Sequence, residues 1–97
     1  MAEIQYDVNP EGDNYIIMLS AESWCVPCRQ FAPTFKRAAA EYEGDLRFYK
    51  VDVDENPAIA DRFNVRSVPT VIHVKDGVGT SVDERRPVPF LNYVEQL

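Results

Sequence analysis

Two cysteines separated by two residues stand between a strand-like segment and a helix-like segment, and this arrangement constrains the fold more than any other feature of the sequence. The motif reads Trp24-Cys25-Val26-Pro27-Cys28. Before it, Tyr15 to Leu19 is continuously apolar, which is typical of a strand buried on both faces. After it, Cys28, Phe31 and Phe35 recur at helical spacing. The sequence therefore predicts a central strand that leads through both cysteines into a long helix.

Further strand-like and helix-like segments alternate along the chain and predict a single α/β domain over residues 1–97. Besides Tyr15 to Leu19, strands are predicted at Ile4 to Val8, Leu46 to Val53, Val71 to Val74 and Val78 to Val82. Helices are predicted from Pro27 to a stop at Gly44, after the N-cap Asn56 and Pro57, and after Pro89. This order is typical of one mixed β-sheet that is covered by helices on both faces.

The overall charge excludes two classes of partner. The chain carries 10 basic and 16 acidic side chains, a net charge of −6, which opposes binding to nucleic acids and to anionic membrane surfaces. No apolar run approaches the roughly 18 residues that span a bilayer, and the chain does not begin like a secretory signal. We therefore expect a cytoplasmic protein, with neither nucleic acid nor membrane among its partners.

The two thiols are predicted to be chemically unequal. A helix N-terminus carries unpaired N–H groups and a partial positive charge, which favour the thiolate of Cys25 just before the helix. Cys28 lies inside the helix on its apolar side and is expected to be sheltered. We therefore expect Cys25 to be an exposed nucleophile that attacks a target disulfide, and Cys28 to resolve the mixed disulfide. The product is a Cys25–Cys28 disulfide, so the motif indicates thiol–disulfide exchange.

Two other uses of the cysteine pair are less favoured. A tetrahedral zinc site needs four ligands, and the only histidine, His73, stands in a predicted strand far along the chain. A purely structural disulfide of this size closes almost no chain and adds little stability. We therefore expect neither a metal site nor an inert disulfide, and we interpret His73 as a packed or surface residue.

Several segments outside the cysteine motif have the order and spacing of a known family. They are the helix proline Pro33, Lys50 to Pro57, Val65 to Thr70 and Lys75 to Gly77. Together with the cysteine motif, they make the sequence resemble the thioredoxin family over nearly its whole length. The resemblance implies the thioredoxin fold, the reduction of protein disulfides without a bound cofactor, and a monomer. It also implies that an NADPH-linked thioredoxin reductase supplies the electrons and that disulfide-containing proteins are the targets.

The resemblance further implies which residues bind the target. The implied surface comprises Trp24, Val26, Pro27, Val68 and Pro69. Pro69 would follow a cis peptide bond beside the sulfurs, with the Val68 backbone pairing with an extended target segment; the alternative is a trans proline at a strand edge. Trp24 would lie on the exposed apolar surface rather than in the core. Lys50 matches a family lysine that supports the active site, and the alternative is a surface lysine at a strand end.

The chain departs from the family at a buried aspartate that the family carries near the resolving cysteine. Leu19 stands at this position if no gap is allowed, and Met18 stands there if one gap is allowed. Neither side chain accepts a proton. We therefore hypothesise that the resolving thiol is activated less well, or through Lys50, Glu22 or water.

The chain departs from the family at three further places. Val26 replaces the usual glycine and adds apolar bulk beside Cys25, which is expected to alter redox poise and partner choice. The turn-rich segment Asn9 to Asp13 leaves no room for the family's first helix. Asp83 to Arg86 has no glycine where the family usually opens its target groove, so we expect a reshaped partner surface.

Two other functions fit the same fold. A glutaredoxin-like reductase would draw its electrons from glutathione, although the tryptophan before Cys25 and the net acidity argue against it. A binding module would use the thioredoxin surface to hold a partner, and its function would survive Cys25→Ser and Cys28→Ser. The preferred interpretation is a thioredoxin-like protein-disulfide reductase.

Overall fold

The computed structural model describes residues 1–97 as five strands and three helices. The elements are β1 (Ile4–Tyr6), β2 (Asn14–Ser20), α1 (Val26–Glu41), β3 (Arg47–Asp52), α2 (Pro57–Arg62), β4 (Thr70–Lys75), β5 (Val78–Ser81) and α3 (Pro87–Glu95). The strands form one sheet in the order β1-β3-β2-β4-β5. The predicted α/β class with a mixed sheet is thus confirmed.

Strand direction brings four connections to one edge of the sheet. β1, β2 and β3 are parallel, β4 is antiparallel to β2, and β5 is antiparallel to β4. The ends of β2, β3 and β5 therefore lie at the same edge as the start of β4. The connections at this edge are residues 21–25, 53–56, 63–69 and 82–86. The cysteine motif and the Val68-Pro69 pair consequently meet there.

The central strand β2 packs on both faces, as its continuous apolar sequence predicts. Ile16 and Met18 belong to the cluster formed with α1 and α3, whereas Tyr15, Ile17 and Leu19 belong to the cluster formed with α2. All five residues are at most 2% exposed. Helices therefore cover both faces of the sheet, and none of them is both long and apolar enough to cross a membrane.

The first strand is shorter than predicted because of Asp7. β1 stops at Tyr6 instead of Val8, since Asp7 adopts a left-handed conformation with φ 56°. Its carboxylate accepts hydrogen bonds from Asp52 N at 2.8 Å and Asn56 Nδ2 at 3.0 Å. Asn56 is the N-cap residue of α2 as predicted, but its side chain makes this contact instead of capping the helix.

Both longer helices differ from their predicted bounds, whereas β2 to β5 lie within one residue of theirs. α1 continues through Pro33 and ends at Glu41, because the next residue is already extended; the predicted stop at Gly44 is wrong. α3 begins at Pro87 instead of after Pro89, since either proline fits a first-turn position. No helix lies between β1 and β2, as the turn-rich segment predicts.

We expect Phe35→Ala to destabilise the fold strongly. Phe35 is fully buried, and its ring centroid lies 5.7 Å from that of Phe48 and 6.4 Å from those of Phe31 and Phe90. Truncation should lower the free energy of unfolding by about 3–5 kcal/mol, because it removes buried area and leaves a cavity. Urea unfolding of the oxidised protein measures this. Val88→Ala, at an exposed site, is the control, with a change within about 0.5 kcal/mol. Equal losses in both variants would contradict this packing.

Candidate active site

The two cysteines close a disulfide at the N-terminus of α1. Cys25 is the N-cap residue, and the Cys28 amide N–H donates a hydrogen bond to Cys25 Sγ at 3.2 Å. The two Cα atoms are 5.2 Å apart, within the usual range for a disulfide. The helix N-terminus thus supplies an N–H donor to the sulfur that the sequence indicates as the nucleophile.

The prediction that Cys25 is exposed is wrong for this disulfide form. Cys25 is 4% exposed and Cys28 is 0% exposed. Both pack with Ala21, and Val53 and Val68 lie against this cluster. The prediction considered only the start of the helix, whereas the cover comes from segments that are distant in the sequence. Cys28 is the more sheltered of the two, as predicted.

The Val68-Pro69 pair lies beside the Cys25 sulfur. Its peptide bond is cis, as the resemblance implies, so the trans alternative is wrong. The Val68 carbonyl oxygen is 3.7 Å from Cys25 Sγ. The structure therefore brings this predicted pair to the cysteines, although Val68 and Pro69 are themselves more than forty residues further along the chain.

Trp24 lies on the surface, so the alternative of a core tryptophan is wrong. It is 61% exposed, and its indole Nε1 donates a hydrogen bond to Asp54 Oδ2 at 2.7 Å. Val26, which is 50% exposed, and the exposed Pro27 continue the apolar rim. No sequence pattern pairs Asp54 with Trp24, because this contact joins residues 30 positions apart.

The two candidate positions for the missing aspartate face opposite sides of the sheet. Leu19 belongs to the cluster on the α2 side, whereas Met18, in register with Lys50, belongs to the cluster on the α1 side. Val53 packs against both the Leu19 cluster and the cysteine cluster. Of the two residues, Leu19 therefore lies in the apolar cluster that Val53 connects to the cluster containing Cys28.

Lys50 forms an ion pair with Glu22 in the connection that follows β2. The Lys50 side chain is only 16% exposed, so it is more buried than a lysine on an open surface. Arg29 Nη1 also holds this connection by donating to the Glu22 carbonyl at 3.0 Å. Glu22 directly follows Ala21, which packs against both cysteines. The ion pair thus lies next to the cysteine cluster, on the α1 side.

His73 lies away from the cysteines. Its Nε2 is 3.0 Å from Oδ1 of Asn14, which begins β2, whereas the cysteines follow the end of that strand. Burial lowers the pKa of His73. His73 is half-buried, which agrees with its interpretation as a packed or surface residue. No group of three or more His, Cys, Asp or Glu side chains is arranged to hold a metal ion.

Arg85 is the residue of this region that the sequence patterns missed. Its Nη2 donates a hydrogen bond to the Pro69 carbonyl at 3.3 Å. The absence of a glycine at residues 83–86 signals a changed surface, but it does not indicate which of the four charged side chains turns inward. Arg85 is half-buried, whereas Arg86 is exposed.

A mixed five-stranded sheet with a Cys-x-x-Cys disulfide at a helix N-terminus, beside a cis-proline, defines the class of thioredoxin-fold dithiol proteins. The thioredoxin family model matches residues 2–93. The chain belongs to the thioredoxin family.

Individual relatives support this membership. Thioredoxin of Staphylococcus aureus is 49% identical over 55 residues, which are 57% of this chain and 53% of that protein; the match thus spans about half the length of this curated relative. The structure is similar to a thioredoxin variant from Halobacterium salinarum NRC-1 (27% identity, TM-score 0.76, 97% of this chain and 89% of that chain). It is also similar to oxidised mitochondrial thioredoxin 3 from Saccharomyces cerevisiae (31% identity, TM-score 0.72, 90% and 81%).

We expect Asp54→Ala to free the Trp24 indole. The carboxylate accepts the only hydrogen bond of the indole N–H, so its removal should raise the amplitude of the fast component of the fluorescence anisotropy decay. Trp24 is the only tryptophan, which makes the signal specific. Glu55→Ala, at the neighbouring exposed carboxylate, is the control and should leave the decay unchanged. A decay that is the same in both variants would show that the contact does not hold the indole.

Proposed function

We propose that this protein is a thiol–disulfide oxidoreductase that reduces protein disulfides through Cys25 and Cys28. The observation that carries the proposal is the hydrogen bond from the Cys28 amide to Cys25 Sγ at a helix N-terminus. The same N–H faces the thiolate after reduction, and the negative charge strengthens the bond. Cys25 is therefore the attacking sulfur, and Cys28 is the resolving sulfur.

The reaction transfers two electrons from the dithiol to the target. The Cys25 thiolate attacks one sulfur of the target disulfide, forms a mixed disulfide and expels the other target sulfur as a thiolate. Cys28 then loses its proton, attacks Cys25 Sγ and expels the second target sulfur. The target gains two electrons and two protons, and the Cys25–Cys28 disulfide remains. Because the second step is intramolecular, it outruns loss of the target by other routes.

The target docks on the rim around Cys25. Trp24, Val26 and Pro27 offer exposed apolar surface, and the Val68 backbone lies beside the sulfur. An extended target segment that pairs with this backbone places its disulfide over Cys25. Since Cys25 itself is nearly buried in the disulfide form, this docking favours attack on a disulfide that a polypeptide carries.

We infer that the protein binds no cofactor and is a monomer that an NADPH-linked thioredoxin reductase keeps reduced. We also propose a cytoplasmic location, where thiols are kept reduced and a lone Cys-x-x-Cys is catalytic more often than structural. Reduction of the Cys25–Cys28 disulfide by NADPH with thioredoxin reductase would support this electron source. Reduction by glutathione in place of the reductase would instead identify a glutaredoxin-like cycle.

We expect Cys28→Ser to trap a target on Cys25. The variant retains the attacking thiol but cannot complete the second step, so incubation with insulin should give a covalent adduct that reductant releases. Cys25→Ser is the matched control and should give little adduct. Non-reducing electrophoresis and mass spectrometry measure both. Equal trapping by the two variants would overturn the assigned order of attack, and full function without either cysteine would identify a binding module.

We expect Leu19→Asp to accelerate the second step relative to Leu19→Asn. Both side chains have the same size and lose the same apolar packing, but only the carboxylate can accept the Cys28 proton. General base catalysis by a positioned group contributes about 100-fold or more, so even partial alignment should give a measurable gain. Stopped-flow release of a trapped target at pH 7 measures the step. Equal rates in the two variants would show that the missing carboxylate is not limiting.

A further inference from the structure

The side chain of Arg85 joins three segments around the disulfide. Its Nη2 donates to the Pro69 carbonyl at 3.3 Å, and its Nη1 donates to the carbonyls of Val82 and Glu84. The guanidinium carbon also lies 5.2 Å from the ring centroid of Phe31 in α1. One side chain thus connects the cis-proline segment, the connection from β5 to α3, and the helix that begins with the cysteines.

The cis-proline segment makes few other hydrogen bonds. Val68 and Pro69 precede β4 and make none of the backbone–backbone hydrogen bonds of the loops. Proline itself has no N–H to donate. The Thr70 hydroxyl donates to the Ser67 carbonyl at 2.5 Å, which closes the turn but leaves the Pro69 carbonyl to Arg85. Hydrogen bonds from a charged donor are among the stronger ones in proteins.

The contact between Arg85 and Pro69 also forms one wall of a groove beside the cysteine motif. The groove is lined by Pro27, Phe31, Thr34, Pro69, Arg85 and Pro87, among others. It lies on the side of the motif away from the Trp24–Asp54 contact, which borders a separate groove with Val53 and Val68. The Arg85 side chain thus lines the groove next to Pro69.

We propose that Arg85 is a positioning residue that holds the Val68-Pro69 segment in place for the docking of protein disulfides. The inference rests on the proposed function, because it concerns how the target reaches Cys25. Arg85 touches the carbonyl of Pro69 and neither sulfur. Its effect is on the binding of extended polypeptide targets, and the sulfur exchange itself proceeds without it.

Arg85→Ala separates docking from chemistry when two substrates are compared. Insulin presents its disulfides on a polypeptide, whereas dithiobis(nitrobenzoate) is a small disulfide with no chain to pair with Val68. We expect the KM for insulin to rise about tenfold, which corresponds to about 1.4 kcal/mol. The kcat for insulin and the rate with the small disulfide should stay within about twofold of the unsubstituted protein.

Arg86→Ala is the matched control, because Arg86 is exposed and its side chain contacts only Glu84; it should leave both substrates unaffected. Arg85→Lys keeps one cationic donor and should give an intermediate KM for insulin. It replaces Arg85→Ala in the comparison if the alanine variant does not fold. An unchanged KM in the Arg85 variants, or equal losses with both substrates, would overturn the inference. If the unsubstituted protein reduces neither substrate, the proposed function itself fails.

Discussion

The antiparallel pairing of β4 with β2 is the constraint on which the site depends. Leu19 is in register with Thr70, so the residues just before β4 lie beside those just after β2. If β4 ran parallel to β2, its start would lie at the other end of the sheet, about 20 Å away for a strand of this length. The Val68 carbonyl would then not reach Cys25 Sγ. Sheet topology, more than any local motif, thus brings the cis-proline to the disulfide.

The disulfide is buried, whereas the apolar residues beside it are exposed. Cys25 and Cys28 lie in an apolar cluster with Ala21, where little water competes for the hydrogen bond from the Cys28 amide to Cys25 Sγ. A hydrogen bond in such surroundings is stronger than one in water. Trp24 and Val26 remain exposed, so apolar area is available for a partner to cover. Under the proposed function, recognition uses the rim, and the chemistry takes place in the sheltered cluster beneath it.

The sequence predicts what depends on local pattern and fails where distant segments meet. The period and length of the apolar runs predict the strands, and Cys25 before a helical pattern predicts an N-cap sulfur. The cover over Cys25 and the contact between Arg85 and Pro69 depend on connections that only the folded sheet brings together. Arg85 and Arg86 look alike in the sequence, because both belong to one charged run. In the fold, Arg86 forms an exposed ion pair with Glu84, of a kind that contributes little, whereas Arg85 turns inward.

Alternation along β2 explains why Lys50 has no partner at the position of the missing aspartate. Lys50 is in register with Met18 on the α1 side, whereas Leu19 belongs to the cluster on the α2 side. Successive side chains of a strand point to opposite faces, so the cation and a group at position 19 do not share a face. Glu22 instead pairs with Lys50 from the connection after β2 and stays partly exposed. A carboxylate in place of Leu19 would lie in the apolar cluster on the α2 side, whereas the Glu22 carboxylate is partly exposed. The departure from the family therefore leaves the partly exposed Glu22, and no buried carboxylate on the α2 side of β2, as the acidic group near Lys50.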